Sequence, residues 1–289
     1  MCNQGYAAAE LGYCRFSTSS DAAPMSLLHE RLPHLQGFMA CPPSPVLAAH
    51  VQRFWWLEGS LSNGFDEQLL HPDGGSGLIF NFADPQVFNG NSHSPRALVA
   101  GPQLSSARLQ LAGRVKLMGV RFRPGMGAAF LGVGLDELSG FHGADGPRPA
   151  IAGLIDQLAE LDRPAQQALI EQHLLACLKD APPRRSPVQQ LLERIATSEG
   201  RARLTDVLQS VPLSQRQLER LFRHHVGMTP KQFSRIQRVA LVRNQLRAGQ
   251  PLLDTALACG YSDQAHFIHD FKTVVGMTPG RYRASKVSR

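Results

Sequence analysis

The densest set of side chains able to do chemistry lies on one helical face near the C-terminus. Between Leu213 and Gly227, the run LSQRQLERLFRHHVG puts Gln215, Arg216, Glu219, Arg220 and Arg223 on one side. Leu218, Leu221, Phe222 and Val226 fall on the other side at helical spacing. A face of this kind is polar and net basic, which suits a polyanion better than a reaction. The charge distribution points the same way. From Arg184 onward there are 18 Lys and Arg against 7 Asp and Glu, whereas the upstream part holds 12 against 16. A basic terminal third on an acidic body is the electrostatic footprint of a polyanion-binding module, with an ordinary solvated surface as the plain alternative.

Elsewhere the chemistry is sparse. His71 and Asp73 in HPDGG are of metal-ligand type, but Pro-Asp-Gly is also a turn sequence, and the turn is the favoured reading. His93 and His142 have no spacing that would complete a metal site. Arg121, Arg123 and the glycines of RFRPGMG suit an anion, without a Walker pattern. The five cysteines are scattered and form no CxxC pair, so free thiols in a reducing compartment are expected. Cys41, in MACPPSP, is the one cysteine worth testing as a nucleophile, although its proline neighbours do nothing to activate it. Phe54, Trp55 and Trp56 are candidates for a pocket or an interface, with core packing the commoner role for such a cluster. No Ser/His/Asp or Cys/His arrangement is legible. No catalytic residue, metal or cofactor is therefore expected, and the chain is not read as an enzyme. No apolar run approaches the roughly 18 residues that span a bilayer. The N-terminus has no basic region followed by an apolar core, so a cytoplasmic protein is expected.

The elements that position the basic face come in two copies. VGMTP occurs at Val226–Pro230 and again at Val275–Pro279, 49 positions apart. In the first copy Ser214 is a good N-cap and Gly227 a left-handed C-cap. A shorter amphipathic segment, Leu204 to Leu208, precedes it across the turn Ser210-Val211-Pro212. In the second copy LLDTALACG gives a first helix with Gly260 at its turn. Ser262 is expected to cap a second helix with Phe267, Phe271 and Val274 inward and Gly276 at its end. Two short helices, a tight turn and a polar outer face make a helix-turn-helix, twice over. Between the copies, Thr229 and Pro230 open a longer helix whose stripe of Phe233, Ile236, Val239, Ala240, Val242 and Leu246 both motifs can pack on. An ordinary helical bundle is the competing reading.

LTDVLQSVPLSQRQLERLFRHHVGMTPKQF, the linking helix, and ALACGYSDQAHFIHDFKTVVGMTPGRYR together resemble the C-terminal DNA-binding domain of AraC/XylS-type transcription regulators, over about residues 187–284. The ordered turn glycine, cap, two phenylalanines, Gly-x-Thr-Pro and final Tyr-Arg carry the resemblance. It implies two helix-turn-helix motifs that present recognition helices to successive major grooves of double-stranded DNA. Carried over by position, the base-reading residues are Gln215, Arg216, Glu219 and Arg220 in the first motif and Asp263, Gln264, Ala265 and His269 in the second. Arg reads guanine, Gln reads adenine and Glu accepts from cytosine. Arg223, Arg235, Arg238 and Lys272 are the phosphate candidates. Three departures stand out. Pro212 occupies the usual turn-glycine position, His269 replaces a common arginine, and Asp270 replaces a small or apolar residue, which implies either a rolled second helix or a local basic partner.

Upstream, GLIFNF (Gly77 to Phe82) reads as a buried strand, and Ala107 to Phe122 as two alternating strands joined by a tight turn at Ala112-Gly113. Ile151 to Leu178 reads as two short helices broken at Arg163-Pro164. Pro43 to Val133 resembles an N-terminal domain of unknown function attached to a subset of AraC-type regulators. By family logic it implies effector sensing, dimerisation or both. The expected fold is α+β overall, a mixed strand and helix N-terminal domain followed by an all-α domain of two helix-turn-helix motifs on a linking helix. The divisions are a poorly defined extension at 1–40, an effector or dimerisation domain at 41–180, a linker at 181–187 and the DNA-binding domain at 188–289. The leading reading is a sequence-specific transcription regulator, monomer or homodimer, with RNA polymerase and a small-molecule effector as possible partners and no membrane. A regulator fused to an enzymatic N-terminal domain, through a reactive cysteine or a metal, is the alternative. A purely structural interaction module is a third reading. Phe54, Trp55, Trp56 and Arg121 are the residues assigned to the effector pocket or interface.

Overall fold

The computed structural model describes residues 37–93, 97–144, 153–178, 186–203, 205 and 213–287. Its N-terminal half is built on an eight-stranded sheet. The strands are β1 (Gly37–Cys41), β2 (Val51–Leu70), β3 (Gly77–Asn81), β4 (Gln86–Phe88), β5 (Asn91–His93), β6 (Ala97–Ala100), β7 (Ala107–Phe122) and β8 (Phe141–Gly143). The order is β1-β2-β7-β3-β6-β8, with β4 against the N-terminal part of β7 and β5 outside β4. Every pairing is antiparallel.

Two sequence expectations change here. The Ala107–Phe122 segment is one strand, not a hairpin, because β2 is long enough to pair along all of it. Gly113 does have the positive φ of a turn residue, at 61°, but it spends it on an irregularity. There β2 makes an excursion between Leu61 and Phe65 while β7 runs straight past it. Asp84 closes the gap by accepting the Arg114 amide at 2.8 Å. Structure also begins before residue 41. Residues 37–40 belong to β1, paired with Trp55 through Glu58, so the partner strand supplies the order that their own sequence pattern does not.

Strand alternation gives the sheet two apolar faces. One carries Phe54, Trp56, Phe80, Met118, Val120 and Phe122. It is covered by α1 (Ala128–Leu131), α2 (Ile155–Ala159) and α3 (Arg163–Leu178). The helix break falls at 160–162, just ahead of the expected Arg163-Pro164, because proline is tolerated in a first helical turn and these two residues open α3 instead. The Trp56 indole donates to Gln166 Oε1 at 2.7 Å, which satisfies a polar atom the helix layer would otherwise bury unpaired. The other face carries Leu57, Ile79, Leu109, Leu111, Val115 and Leu117, with Trp55 and Phe141 half-buried beside them.

The C-terminal half is helical: α4 (Pro187–Thr197), α5 (Gln215–Val226), α6 (Pro230–Arg247), α7 (Leu252–Ala258), α8 (Gln264–Val275) and α9 (Pro279–Val287). Of the expected linker, residues 181–185 lie outside the described residues. Ser186 and Pro187 already start α4, with Ser186 and Gln189 forming a reciprocal capping box. The expected first helix of motif one, 204–208, and the turn at 210–212 lie outside the described residues except Thr205. One core joins Leu218, Phe222 and Val226 of α5 to Phe267, Phe271 and Val274 of α8 through Phe233, Ile236, Val239, Val242 and Leu246 of α6.

The doubled VGMTP is punctuation, as its spacing suggests. Gly227 and Gly276 end α5 and α8 at φ 76° and 85°, each returning its amide to the preceding turn. Thr229 then caps α6, and the Arg281 amide donates to Thr278 Oγ1 at the start of α9. The expected cap at Ser262 moves by one residue. Asp263 is the N-cap of α8, its carboxylate accepting from the Ala265 amide at 2.9 Å. Asp and Ser cap about equally well, so residue type alone does not choose between neighbours. With Asp263 opposite Ser214, the two motifs keep a register of 49 throughout.

Candidate functional site

The expected reading residues sit at the caps and on the first two turns of α5 and α8, which the two caps place in equivalent positions. Gln215, Arg216 and Arg220 are exposed and Glu219 half-exposed. Gln215 Nε2 donates to Glu219 Oε1 at 3.1 Å, so the amide and carboxylate form one preset pair beside the two arginines. In α8, Gln264, Ala265 and His269 are exposed, while the carboxylate of exposed Asp263 is engaged in capping. The residues that open both helices, 214–217 and 263–266, are exposed.

The phosphate candidates separate. Arg223 and Lys272 are exposed, in the last turns of their helices. Arg238 instead donates to the Gly200 carbonyl through Nε at 3.2 Å and Nη2 at 3.0 Å, and its guanidinium lies 5.1 Å from the Tyr261 ring centre. That places it in an internal brace. Arg235 lies 3.8 Å from buried Asp270, which favours the basic-partner alternative for that acid. His266 approaches the same carboxylate at 3.3 Å. Burial, with Asp270 beside it, pushes the Tyr261 hydroxyl well above its usual pKa.

In the N-terminal domain, the aromatic trio is divided by strand alternation. Phe54 and Trp56 are buried in the helix-covered core. Trp55 faces the opposite way, its ring lying on Gly119 where any Cβ would collide with it. There it lines a pocket of about 110 Å³ with Leu57, Ile79, Phe88, Leu109 and Phe141. Arg53, His71, Asp73 and Arg121 supply its polar wall. HPDGG is a turn, as expected: Asp73 Oδ1 accepts the Gly75 amide at 2.8 Å and Gly74 has φ 86°. Arg121 grips both carboxylate oxygens of Asp73, through Nε at 3.1 Å and through Nη2. Burial pushes the Asp73 carboxyl up, but Arg121, the Gly75 amide and Arg53 outweigh it and hold the group below the usual carboxylate range. Arg123 does not share the pocket. Its Nε donates to the Ala48 carbonyl at 2.8 Å and ties down the β1–β2 connection. Among the described residues no group of three His, Cys, Asp or Glu side chains is placed to hold a metal.

The turn that lines the pocket also touches the helical domain, which sequence reasoning missed. The Asp73 carbonyl accepts from Gln237 Nε2 at 3.1 Å, and Gly74 lies against the Phe233 ring too closely for any side chain. His71 packs edge-on to Tyr282 at 6.0 Å between ring centres, and its Nδ1 lies 2.7 Å from Ser106 Oγ. Ser106 in turn donates both its amide, at 2.8 Å, and its hydroxyl, at 3.0 Å, to the Val274 carbonyl near the end of α8. Behind Tyr282 lies buried Arg243, whose pKa burial brings down to about 10 while Tyr282 acts to keep it charged. One signal for it was available: position 243 falls on the apolar stripe of α6, four residues after Val239. A second contact brings His224 of α5 to 3.4 Å from Asp136, in the 3-10 turn Leu135–Glu137.

Two equivalent helices about a linking helix, each with a capped and exposed polar face, and the second preceded by α7 across a tight turn, define a helix-turn-helix domain joined here to a sheet domain. Residues 208–285 match the family described as a helix-turn-helix domain, and residues 39–143 match a domain of unknown function, DUF6597. The helical domain is of the AraC-type helix-turn-helix family, and a DUF6597 domain lies ahead of it. It is 30% identical over 123 residues, 42% of its length, to an uncharacterized HTH-type transcriptional regulator of Haemophilus influenzae. It is 36% identical over 72 residues, 25% of its length, to the probable transcriptional regulator LumQ of Photobacterium leiognathi. The matches span 39% and 29% of those two relatives. The crystal structure of ToxT from Vibrio cholerae O395 superimposes over 82% of this chain and 99% of its own, with a TM-score of 0.45 and 9% identity.

Proposed function

We propose that the chain is a sequence-specific transcription regulator that reads double-stranded DNA with α5 and α8 and senses a small molecule in its N-terminal sheet domain. The observation that carries the first half is the pair of equivalent, exposed polar faces on one shared core. Arg216 and Arg220 with the Gln215–Glu219 pair give the first motif donors and acceptors suited to base edges, and Arg223 and Lys272 suit phosphates. The pocket beside Trp55 and Arg121 supports the second half, since it is apolar with a few convergent polar groups. A regulator of this kind acts on RNA polymerase in the cytoplasm, as a monomer or a homodimer.

The test is selection of bound fragments from a genomic DNA pool, followed by gel shifts on selected and random sequence across salt concentrations. A preferred sequence that survives at physiological salt supports the reading. A steep salt slope with no preferred sequence rejects it, because counterion release alone produces that behaviour.

A further inference from the structure

The HPDGG turn belongs to two sites at once, and its chemistry suggests what the pocket takes. On the pocket side, Arg121 holds the Asp73 carboxylate side-on through Nε and Nη2, the geometry in which a guanidinium binds any carboxylate. The adjoining wall is apolar and aromatic, with Trp55, Phe88 and Phe141. On the opposite side the same turn grips the linking helix through the Asp73 carbonyl and Gly74, and the end of α8 through His71 and Ser106. The ion pair in the pocket wall and the hold on the helical domain thus share four consecutive residues, His71 to Gly74.

Resting on the small-molecule reading above, we infer that the pocket binds an aryl-alkyl carboxylate, whose carboxylate displaces Asp73 from Arg121 and whose ring lies among Trp55, Phe88 and Phe141. Asp73 is the internal competitor. Once displaced, it no longer fixes the turn, and the contacts of that turn with α6, Tyr282 and Val274 loosen. The ligand therefore favours an arrangement in which the helical domain is released from the sheet domain. By linkage, it can do so only to the extent that it binds the released arrangement more tightly.

The test uses the full chain and 3-phenylpropionate, with the neutral 3-phenylpropan-1-ol as its control. Binding is followed by tryptophan fluorescence, because Trp55 lines the pocket. The carboxylate should bind about tenfold more tightly than the alcohol, as expected when a charged hydrogen-bonded partner is gained. Arg121→Met should remove that preference, and Arg121→Lys should restore part of it, which separates loss of charge from loss of fold. Asp73→Asn, which removes the competitor, should tighten carboxylate binding about threefold. Amide exchange of the segment containing Ser106 should speed up with the carboxylate and stay unchanged with the alcohol.

Equal binding of acid and alcohol, or no binding of either, overturns the inference. Weaker binding to Asp73→Asn overturns the competition. Unchanged exchange at Ser106 in the saturated protein overturns the coupling. Gel shifts on selected DNA keep the two readings apart. Sequence-specific binding with no acid preference sinks only the ligand assignment, whereas an acid preference without sequence-specific DNA binding sinks only the regulator.

Discussion

The two helix-turn-helix motifs share a frame and differ in what they hang on it. Residues 215 and 264 are both Gln, 222 and 271 both Phe, 226 and 275 both Val, and 227 and 276 both capping Gly. Between those fixed points they part. Arg216 faces Ala265 in the alignment, Glu219 faces Ile268, Arg220 faces His269, and half-buried Leu221 faces buried Asp270. Phe222, Val226 and Gly227, which pack or cap, recur as Phe271, Val275 and Gly276, whereas Arg216, Glu219 and Arg220 on the outer face do not recur. A core tolerates few shapes, so two copies of one packing solution keep the same residues. A reading face has no such constraint and can follow the sequence it reads. On this comparison we propose that the first motif carries most of the discrimination and the second mainly anchors.

The largest effects should test the shared frame. Phe222→Ala and Phe271→Ala each remove a side chain with no solvent exposure from the one core. Each should destabilise the helical domain by about 3–5 kcal/mol, read by chemical unfolding. Clearly unequal losses would mean that the motifs are not equivalent scaffolds.

Next comes the difference in reading. Arg220→Ala should weaken binding to a selected site by about 1–3 kcal/mol at fixed salt and relax the preference at one position. His269→Ala should cost less, since an imidazole cannot make the bidentate contact that an arginine fork makes. Equal losses, or a larger one at His269, would reverse the assignment of roles.

The inner face offers a subtler contrast. Asp270 is held by Arg235 and His266 where the first motif has a leucine. Asp270→Ala should cost the helical domain about 1–2 kcal/mol, because it strands a charge-assisted network. Asp270→Leu, which copies the first motif, should cost less, since apolar packing often replaces a buried ion pair without loss. If the leucine variant is the worse of the two, the network has a role beyond stability.

What the sequence disclosed follows the same division between local and distant causes. Caps, stripes and the repeat were legible because each depends on residues within one or two turns, as at Ser214 with Gln217 or Gly227 with Arg223. The division of Phe54, Trp55 and Trp56 between two faces was implicit in strand alternation once a strand was assigned. The single strand at β7 was not legible, because Gly113 satisfies a hairpin turn as well as it satisfies an irregularity. Only the length of β2, more than 40 residues earlier, decides between them. Arg238 looked like a phosphate contact for a related reason: its partner, the Gly200 carbonyl, lies 38 residues away and is invisible to helical spacing. Likewise, nothing local to HPDGG announces that it meets Phe233 and Tyr282.

The smallest effect concerns the ends of the two helices, where the first motif has His224 and His225 and the second has Thr273 and Val274. Burial lowers the His225 pKa and neighbouring His224 lowers it further, with Asp136 pulling the other way. A histidine held below its unfolded value contributes stability above that value, near pH 6.5, and the contribution is lost as pH falls through the folded pKa. Acidification from pH 7 should therefore weaken the end of α5 while leaving the equivalent end of α8, which has no titrating group at those positions, without that term. His50 and His93 are lowered by burial as well and act in the same direction, so the slope of stability against pH cannot belong to His225 alone. His225→Gln should flatten part of that slope between pH 7 and 5, measured by thermal unfolding at a series of pH values. If the slope is unchanged, His225 protonates in the folded protein without penalty, and the pH sensitivity lies in the sheet domain rather than in the difference between the two motifs.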